Sequence, residues 1–279
     1  MTDTNKPAAA QALAEATESA ADTKGSSLER MLKVLDLFTE HQPVWTVDDL
    51  GAAMSFTRST IYRYVRELAD VDLLFQVEAG RYALGARIIT WDRQLRVSDP
   101  LVRAANQLER EFPQWSAEQV WLTCRLFKDQ VVCVHQSGSL ASEVSYTRGT
   151  PRPLFLGATS KAILANLGSR QHNRLYLEKH EEVRLSNLGQ NWEEFRRSMQ
   201  RLRKKGYVVS RAEVDSGICG VAAPIFDSDG KAIGSISCVR QDSECDPERD
   251  DEYGQQVAEL AQKLSQLMQA FSGRPRPLD

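Results

Sequence analysis

Residues 55–68 read SFTRSTIYRYVREL and set arginine, tyrosine and hydroxyl side chains around an apolar stripe. The helical spacing of Ile61, Val65 and Leu68 predicts an amphipathic helix with this stripe facing inward. A face that only meets water needs charge, but it does not need tyrosines and hydroxyls between the arginines. A DNA-reading helix uses both, because arginine contacts base edges or phosphates and hydroxyls bond phosphates. The segment therefore predicts a recognition helix, and the plainer alternative is an ordinary amphipathic helix with a basic face.

The first turn of a recognition helix enters the major groove most deeply, and the residues one turn later follow it. An arginine just past a wing turn can reach the neighbouring backbone or minor groove. The predicted contacts to double-stranded operator DNA are Thr57, Arg58, Ser59, Thr60, Tyr62, Arg63 and Arg81.

The flanking segments supply the other parts of a winged helix-turn-helix. Residues 27–41 have helical periodicity and predict a first helix that Pro43 ends. Thr46 is a predicted N-cap that opens a second helix. After the third helix, LLFQVE and RYALG flank Ala79–Gly80, which predicts a β-hairpin closed by a tight turn. Three helices and a hairpin within about sixty residues are the plan of a winged helix-turn-helix.

Composition sets limits on these interpretations. The chain has 279 residues, 42% hydrophobic and 26% charged, enough for two globular domains. Its formal net charge is -3, so any affinity for DNA must come from a local surface and depend on salt and dimerisation. Neither a signal peptide nor a membrane-spanning run is recognisable, which favours a cytoplasmic protein.

The cysteines form no CxxC pair and have no metal-ligand spacing with the four histidines. Most have apolar neighbours, as buried free thiols do, and this usage suits a reducing compartment. We therefore expect five free thiols and no metal site. The cysteines are Cys124, Cys133, Cys219, Cys238 and Cys245.

Beyond the hairpin, two helical stretches broken at Pro100 predict a connector, and two groups of strands separated by helices follow. SEVSYTRG (142–149) is one predicted strand. The pattern indicates an α+β domain rather than a doubly wound one. The predicted organisation is a disordered leader (1–26), the winged helix-turn-helix (27–85), a linker helix (86–99), an effector-binding domain (100–272) and a tail (273–279).

These features resemble the IclR family of bacterial transcriptional regulators. Ser59-Thr60-Ile61-Tyr62-Arg63 matches the core of the family's third helix, within a resemblance that covers residues 28–85. RGTPRPLFLGATSKAILANL (148–167) and EVDSGICGVAAPIFDSDGKAIGSISC (213–238) match two further family segments in order, so the resemblance covers about 27–272. It implies a winged helix-turn-helix, a linker helix and a GAF-like effector-binding domain. It also implies homodimers or tetramers that control catabolic genes.

The resemblance implies a ligand site between the sheet and the segment after Pro153. The residues give one independent reason: GATSKAILANL opens a helix with small residues, so free backbone N–H groups at Ala158 and Thr159 can bind a carboxylate. The alternative is a plain, tight helix start packed on the sheet. The implied ligand-binding residues are Val144, Ala158, Thr159, Ser210, Gly220, Ser237 and Val239, with Arg148 and Arg152 as candidate counter-charges that are also explained as solvated arginines.

The chain departs from the family at three of these positions. Members that recognise small keto acids place an acidic residue at Ser210, Cys at Gly220 and Ser at Val239. Smaller or apolar side chains predict a wider, less polar pocket, so the expected effector is a small carboxylate with an aromatic body. Its ring would pack on Val144, Phe155 or Val239.

A different class of function remains open, in which the second domain is an enzyme or a small-molecule sensor and the winged helix contacts proteins rather than DNA. Cys219 near two glycines and His135 as a base are the candidate catalytic pair. No catalytic order surrounds them, and Cys in a strand is usually core. We therefore predict no enzyme, no catalytic residue and no cofactor. The preferred mechanism is effector-controlled repression or activation, with subunits paired through Ile88, Trp91 and Leu95 of the linker helix.

Overall fold

The structure is a computed structural model that describes residues 25–112, 119–138 and 147–272. The predictions of a disordered leader and of a tail concern residues 1–24 and 273–279, which lie outside the described residues. The chain divides into two compact units, one ending at Val97 and the other beginning at Ser98. Each unit is described by itself.

The N-terminal unit has the order helix, helix, helix, hairpin, helix, which confirms the predicted winged helix-turn-helix. The first helix is shorter than the sequence predicts: it tightens into a 3-10 turn at Val34–Leu37, well before Pro43. Its elements are α1 (Ser27–Lys33), β1 (Trp45–Thr46), α2 (Val47–Ala53), α3 (Arg58–Asp70), β2 (Leu74–Glu78), β3 (Arg81–Leu84) and α4 (Ala86–Ser98).

Local chemistry fixes α2 and its packing on α3. The Thr46 side chain accepts a hydrogen bond from the Asp49 N–H at 3.1 Å, which confirms the predicted N-cap. A Cβ added at Gly51 would lie 3.1 Å from Cγ2 of Ile61, so glycine lets the two helices approach closely. Ile61 and its neighbours on the apolar stripe form the core of the unit, which includes Leu50, Ile61, Val65, Leu68 and Leu74.

The hairpin is joined to α4 by a tight connection. Gly85 donates its N–H to the Leu73 carbonyl at 2.8 Å, and Arg87 donates to the Asp72 carbonyl at 3.2 Å. A Cβ at Gly85 would lie 2.1 Å from the same Asp72 oxygen, so only glycine fits. Ile88 packs on the winged-helix core. The start of α4 is therefore bonded directly to the turn between α3 and β2.

The predicted apolar stripe of the linker helix is exposed in part. Trp91 and Leu95 lie one turn apart on the same face, with 46% and 60% of their surfaces exposed. Ile88 is half-buried because it also packs on the core of its own unit. Ile89 is 74% exposed but lies on a different face of the helix, two residues from Trp91.

The C-terminal unit is built on a six-stranded antiparallel sheet in the order β6-β5-β4-β9-β8-β7. Of the predicted strand SEVSYTRG, residues up to 146 lie outside the described residues; among the described strands, the short β6 pairs with β5 at one end of the order. The elements are α5 (Pro100–Glu111), β4 (Val120–Phe127), β5 (Gln130–Gly138), β6 (Pro151–Arg152), α6 (Gly157–Leu164), α7 (Ser169–Glu178), α8 (His180–Leu185), α9 (Trp192–Lys205), β7 (Val208–Arg211), β8 (Ile218–Phe226), β9 (Ala232–Gln241) and α10 (Asp250–Ser272). Strands and helices in this arrangement confirm the α+β class.

The two faces of this sheet carry different cores. Alternate residues of a strand point to opposite faces, and β9 shows this directly. Ser237 bonds Thr159 of α6 and Val239 joins the core under α6 and α9. Cys238 joins the other core, which α5 and α10 cover. One strand therefore borders both layers of helices.

Two predictions about buried polar chemistry are wrong. Cys219 and Cys245 form a disulfide with their Cα atoms 6.7 Å apart, so five free thiols are not present; Cys124, Cys133 and Cys238 are free and buried. The sequence context of Cys245 is polar, and only the fold brings it back to β8. The polar helical sequence around His172 predicts a surface residue, but His172 is buried, with its ring against that of Phe195 in α9.

Within the described ranges, no helix combines the length and apolar character that a bilayer crossing needs. The same part of the chain holds no group of three or more His, Cys, Asp or Glu side chains placed to bind a metal ion.

Candidate DNA-reading helix and ligand cavity

The start of α3 presents a cluster of hydroxyl groups. Thr57 is the N-cap, and its oxygen accepts from the Thr60 N–H at 3.4 Å. The same oxygen lies 2.9 Å from the Thr60 hydroxyl and 3.3 Å from the Ser59 hydroxyl. Thr57 and Ser59 are exposed, whereas Ile61 on the opposite side is buried. The apolar residues therefore hold α3 in the unit and leave its hydroxyl-rich first turn to the outside.

The two tyrosines of α3 have different roles. Tyr62 is 46% exposed, and the Arg58 guanidinium lies 5.5 Å from the centre of its ring. Tyr64 is 3% exposed, and its hydroxyl lies 2.9 Å from the Ser27 hydroxyl. Tyr62 therefore belongs to the basic face, and Tyr64 is a core residue that ties α3 to α1.

The arginines of this surface are exposed and lightly paired. Arg58 Nε lies 3.4 Å from a carboxylate oxygen of Asp48. The hydroxyl of Tyr62, followed by the charge of Asp48, raises the pKa of Arg58, so its guanidinium stays charged. The Arg63 guanidinium lies 5.4 Å from the centre of the Tyr64 ring. Exposed ion pairs are weak, so these arginines can exchange their partners for phosphates or bases.

Arg81 lies on the first residue of β3, directly after the hairpin turn. It is exposed, is in register with Thr46 of β1, and its Nη1 lies 3.3 Å from a carboxylate oxygen of Glu78. The wing of the unit therefore carries one exposed cation, as the sequence predicts.

In the C-terminal unit, a small cavity lies between the start of α6 and strands β7, β8 and β9. We call it the α6 cavity. Six of the nine predicted ligand-binding residues meet on its wall: Arg152, Ala158, Thr159, Ser210, Gly220 and Val239. Ser237 is not on the wall itself, but its hydroxyl accepts a hydrogen bond from the hydroxyl of the wall residue Thr159 at 3.0 Å. The resemblance thus identified residues that come together in space across eighty positions of sequence.

The other two ligand-binding residues, and the predicted ring contact at Phe155, fare differently. Val144 lies outside the described residues. Arg148 donates from Nε to the Val134 carbonyl at 2.8 Å and is not on the wall of the α6 cavity. Phe155, expected to pack on a ligand ring, is a core residue with 2% of its surface exposed. Arg152 is therefore the arginine that the fold brings to the cavity.

The backbone donors at the start of α6 are not free, contrary to the prediction for Ala158. The Ala158 N–H donates to the Ser210 hydroxyl at 2.9 Å. The Gly157 N–H donates to Glu213 Oε2 at 2.8 Å, and Lys161 Nζ donates to that same oxygen at 2.6 Å. A side-chain carboxylate of the chain itself therefore lies at this helix start, which is where carboxylates are favoured electrostatically.

Glu213 and Lys161 were missed by the sequence analysis. Their only sequence signal is weak: Glu213 is the last residue of the predicted strand YVVSRAE (207–213), three residues after Ser210. The residue before it, Ala212, has a φ of 49°, a left-handed conformation that an alanine rarely adopts. This backbone turns the Glu213 side chain toward α6, and no local pattern in the sequence announces it.

The α6 cavity is also narrower than predicted. Its volume is about 30 Å³, room for a water-sized group, because Val214 and Ile218 line it together with Glu213. The small side chains at Ser210 and Gly220 do leave space, but the connection after β7 fills it. The expectation of a wide pocket is therefore wrong for this conformation.

The candidate catalytic pair does not come together. Cys219 is on β8 and is bonded to Cys245, while His135 is on β5, and its Nε2 lies 3.2 Å from Glu109 Oε2. Strands β5 and β8 are three places apart in the sheet, a separation of about 14 Å. No nucleophile–base contact is possible between these two residues.

A winged helix-turn-helix followed by an α+β domain with a small polar cavity defines a DNA-binding regulator with a sensor domain. Family models agree with this class over most of the chain. Residues 27–78 match the IclR helix-turn-helix domain, and residues 97–266 match the C-terminal domain of bacterial transcriptional regulators of the IclR type. The chain belongs to the IclR family and is a helix-turn-helix transcriptional regulator.

Individual relatives are distant but extend over the whole family architecture. The HTH-type transcriptional regulator KdgR of Escherichia coli K12 is 24% identical over 246 residues, 87% of this chain and 92% of the relative. The transcriptional repressor IclR of the same organism is 24% identical over 247 residues, 86% and 88% of the two chains.

Solved structures show the same fold at low identity. An IclR homologue of Microbacterium hydrocarbonoxydans, solved as a complex with 4-hydroxybenzoate, superimposes with a TM-score of 0.70 at 22% identity. It covers 88% of this chain and all of that one. An IclR transcriptional regulator from Alicyclobacillus acidocaldarius gives a TM-score of 0.66 at 22% identity, covering 87% and 98%.

Proposed function

We propose that α3 and the wing bind a half-site of operator DNA and that a small organic acid in the α6 cavity controls this binding. The observation that carries the DNA proposal is the exposed first turn of α3. Thr57, Arg58 and Ser59 are exposed there, one turn before Tyr62 and Arg63, while the opposite side of the helix is buried. This surface supplies the phosphate and base contacts that a major-groove helix needs.

The acid proposal rests on the charge and hydrogen-bond donors around the α6 cavity. Arg152 lines it, and Lys161 with the Gly157 N–H already binds the carboxylate of Glu213 at its edge. The cavity also has the carboxylates of Glu213 and Asp215 on its wall, so the Arg152 guanidinium is the group that favours an anionic ligand. A structurally similar IclR homologue was solved with 4-hydroxybenzoate, which is consistent with an aromatic acid as one candidate.

The size of the α6 cavity separates the two kinds of acid. The present volume of about 30 Å³ is smaller than either kind of acid, and an aromatic ring requires the larger outward movement of Val214 or Ile218. We propose the aromatic acid because Gly220 and Val239 present no polar side-chain group to a short keto acid. An aromatic effector therefore enlarges the cavity, and this movement of the β7–β8 connection is the conformational difference by which it shifts populations.

We further propose that the regulator acts as a homodimer or a tetramer in the cytoplasm. The support is the exposed pair Trp91 and Leu95, one turn apart on α4, because a helix that leaves large apolar side chains exposed gains from a partner helix. Two subunits would place two α3 helices on an operator with two half-sites.

The test measures DNA binding by fluorescence anisotropy, with a labelled fragment of the region upstream of the chain's own gene and a scrambled fragment as control. Titrations at fixed salt are run alone and with benzoate, phthalate, 4-hydroxybenzoate, pyruvate and glyoxylate. We expect selective binding to the upstream fragment and a change in affinity with at least one aromatic acid. Equal affinity for both fragments contradicts the DNA proposal. A response to the keto acids alone contradicts the aromatic one.

A further inference from the structure

A second and larger cavity of the C-terminal unit is on the face of the sheet opposite the α6 cavity. It lies between β9 and α10, next to β4 and β8, and has a volume of about 540 Å³. We call it the α10 cavity. Its wall includes Trp121, Val221, Cys238, Arg240 and Tyr253. This volume lies within the range of about 300–1,000 Å³ in which pockets hold small organic ligands.

Arg240 is the group that gives this cavity its chemistry. Its guanidinium lies 3.9 Å from the centre of the Tyr253 ring, and its side chain is half-buried. Within the described part of the chain, no carboxylate lies within ion-pair distance of Arg240. A guanidinium held flat on an aromatic ring keeps its donors in a fixed plane, which suits a planar anion.

Neighbouring charges are already engaged. The Arg249 guanidinium also lies over the Tyr253 ring, 4.8 Å from its centre. Its Nε, however, is paired with Glu252 Oε2 at 3.0 Å. Lys263, also on the cavity wall, is paired with Glu111 at 2.6 Å. Glu259 borders the cavity one helical turn from Lys263 and is exposed to solvent. Of the cations at this cavity, Arg240 is therefore the one that forms no ion pair with a described carboxylate.

The rest of the wall is largely apolar. Trp121 and Val221 line the cavity, and Leu260 of α10 closes it. The Cys238 thiol is on the wall as well, and burial raises its pKa to about 12, so it stays neutral and adds no second anion. The wall thus combines one available arginine with aromatic and aliphatic surface.

We propose that the α10 cavity is a second ligand site, which binds a small organic anion with a flat aromatic body. The anionic group bonds the Arg240 guanidinium, and the aromatic body lies against Trp121 and Val221. This site is separate from the α6 cavity and goes beyond the proposed function, since it does not require that the α6 cavity bind an effector.

The two cavities share strand β9. Ser237 and Val239 point to the α6 side, whereas Cys238 and Arg240 point to the α10 side. A ligand on Arg240 therefore acts on the strand that also carries Val239, one residue away. This gives the second site a direct route to the first, through a shared strand rather than through a long chain of contacts.

The experiment uses the full chain and the fluorescent probe 8-anilinonaphthalene-1-sulfonate, a flat aromatic sulfonate. Binding is followed by probe fluorescence and by energy transfer from tryptophan. Arg240→Gln is compared with Arg249→Gln as a matched control, because both arginines stack on Tyr253 and only Arg249 is paired with a carboxylate. Gly220→Phe, which fills the α6 cavity, separates the two sites. Thermal unfolding checks that each variant is folded.

We expect Arg240→Gln to weaken probe binding at least tenfold, while Arg249→Gln and Gly220→Phe stay within about twofold of the wild type. Trp121→Phe should lower tryptophan-to-probe energy transfer at saturating probe, because Trp121 lines the site. If Arg240→Gln does not fold, Arg240→Lys replaces it, with a smaller loss expected because the charge remains. Unchanged affinity in the Arg240 variant, equal losses in both arginine variants, or loss of binding in Gly220→Phe would overturn the proposal.

Discussion

Lys161 Nζ lies 2.6 Å from Glu213 Oε2, and 9% and 28% of the two side chains are exposed. This pair joins the last turn of α6 to the connection after β7, although 52 residues separate its members. We predict that Glu213→Gln lowers the free energy of unfolding by about 2 kcal/mol, because it leaves the buried ammonium group without its counter-charge. Urea denaturation measures the loss.

A double-variant cycle tests whether the loss belongs to the pair. Lys161→Met together with Glu213→Gln should cost clearly less than the sum of the two single changes. Strict additivity would show that the two groups do not interact.

The DNA-reading face allows a comparison within one helix. Arg63→Ala should weaken operator binding by about 1–3 kcal/mol if Arg63 contacts a base. Arg66→Ala is the matched control: Arg66 is also exposed on α3, but it lies further from the first turn and pairs with Asp70 at 3.8 Å. Anisotropy titrations at fixed salt give both values, and similar losses for the two variants would contradict the assignment.

Gly220 offers a graded test of the α6 cavity. A Cβ at this position would lie 3.5 Å from the Ser210 hydroxyl and 3.8 Å from the Ala158 Cβ, both ordinary contacts. Gly220→Ala should therefore fold and respond to the effector, whereas Gly220→Phe should fill the cavity and abolish the response. Basal DNA binding should persist in both variants. A full response in Gly220→Phe would place the effector elsewhere.

His172 should make folding sensitive to pH. Burial lowers the pKa of its imidazole from the ordinary 6.5, and the charge of Arg203 adds to this, while the hydrogen bond to the Leu164 carbonyl opposes it. The unfolded chain therefore binds the proton at a higher pH than the folded one. The contribution to stability is complete above about pH 6.5 and is lost as the pH falls below that value.

The measurement is the urea midpoint at several pH values between about 7.5 and 5.5 for the wild type and His172→Gln. Glutamine can still donate to the Leu164 carbonyl but does not titrate. We expect a smaller fall in midpoint for the variant, and parallel falls would exclude His172 as the cause.

The exposed side chains of Trp91 and Leu95 on α4 predict the surface through which the subunits associate. Leu95→Glu should shift the protein toward monomer in sedimentation velocity, because it places a charge in the proposed interface. Ile88→Val is a useful contrast, since Ile88 packs within its own unit and should affect stability rather than association. A monomeric wild type at micromolar concentration would refute the proposed dimer.

Much of the fold follows from local patterns in the sequence. The caps at Thr46 and Thr57 and the turn at Ala79–Gly80 are short-range devices, so they are readable without tertiary contacts. The shortened first helix is a boundary that propensity does not fix. Of the candidate site, the family resemblance gave the residues that converge on the α6 cavity, because strand register brings those positions together.

The remaining features depend on long-range contacts that no local pattern encodes. The disulfide joins Cys219 to a polar segment 26 residues later. The narrowness of the α6 cavity depends on Glu213 and Val214, which follow an alanine with a left-handed backbone. Propensity argues against that conformation for alanine, so the sequence predicts an open site that the connection after β7 closes.

The bonds from Gly85 and Arg87 to the residues that follow α3 have a mechanical consequence within the N-terminal unit. Because they tie the start of α4 to the turn between α3 and β2, the recognition helix and the 13 residues of α4 move together, and α4 acts as a lever about 20 Å long. A rotation of about 10° about one end of this lever moves its other end by about 3 Å, comparable to the rise between base pairs.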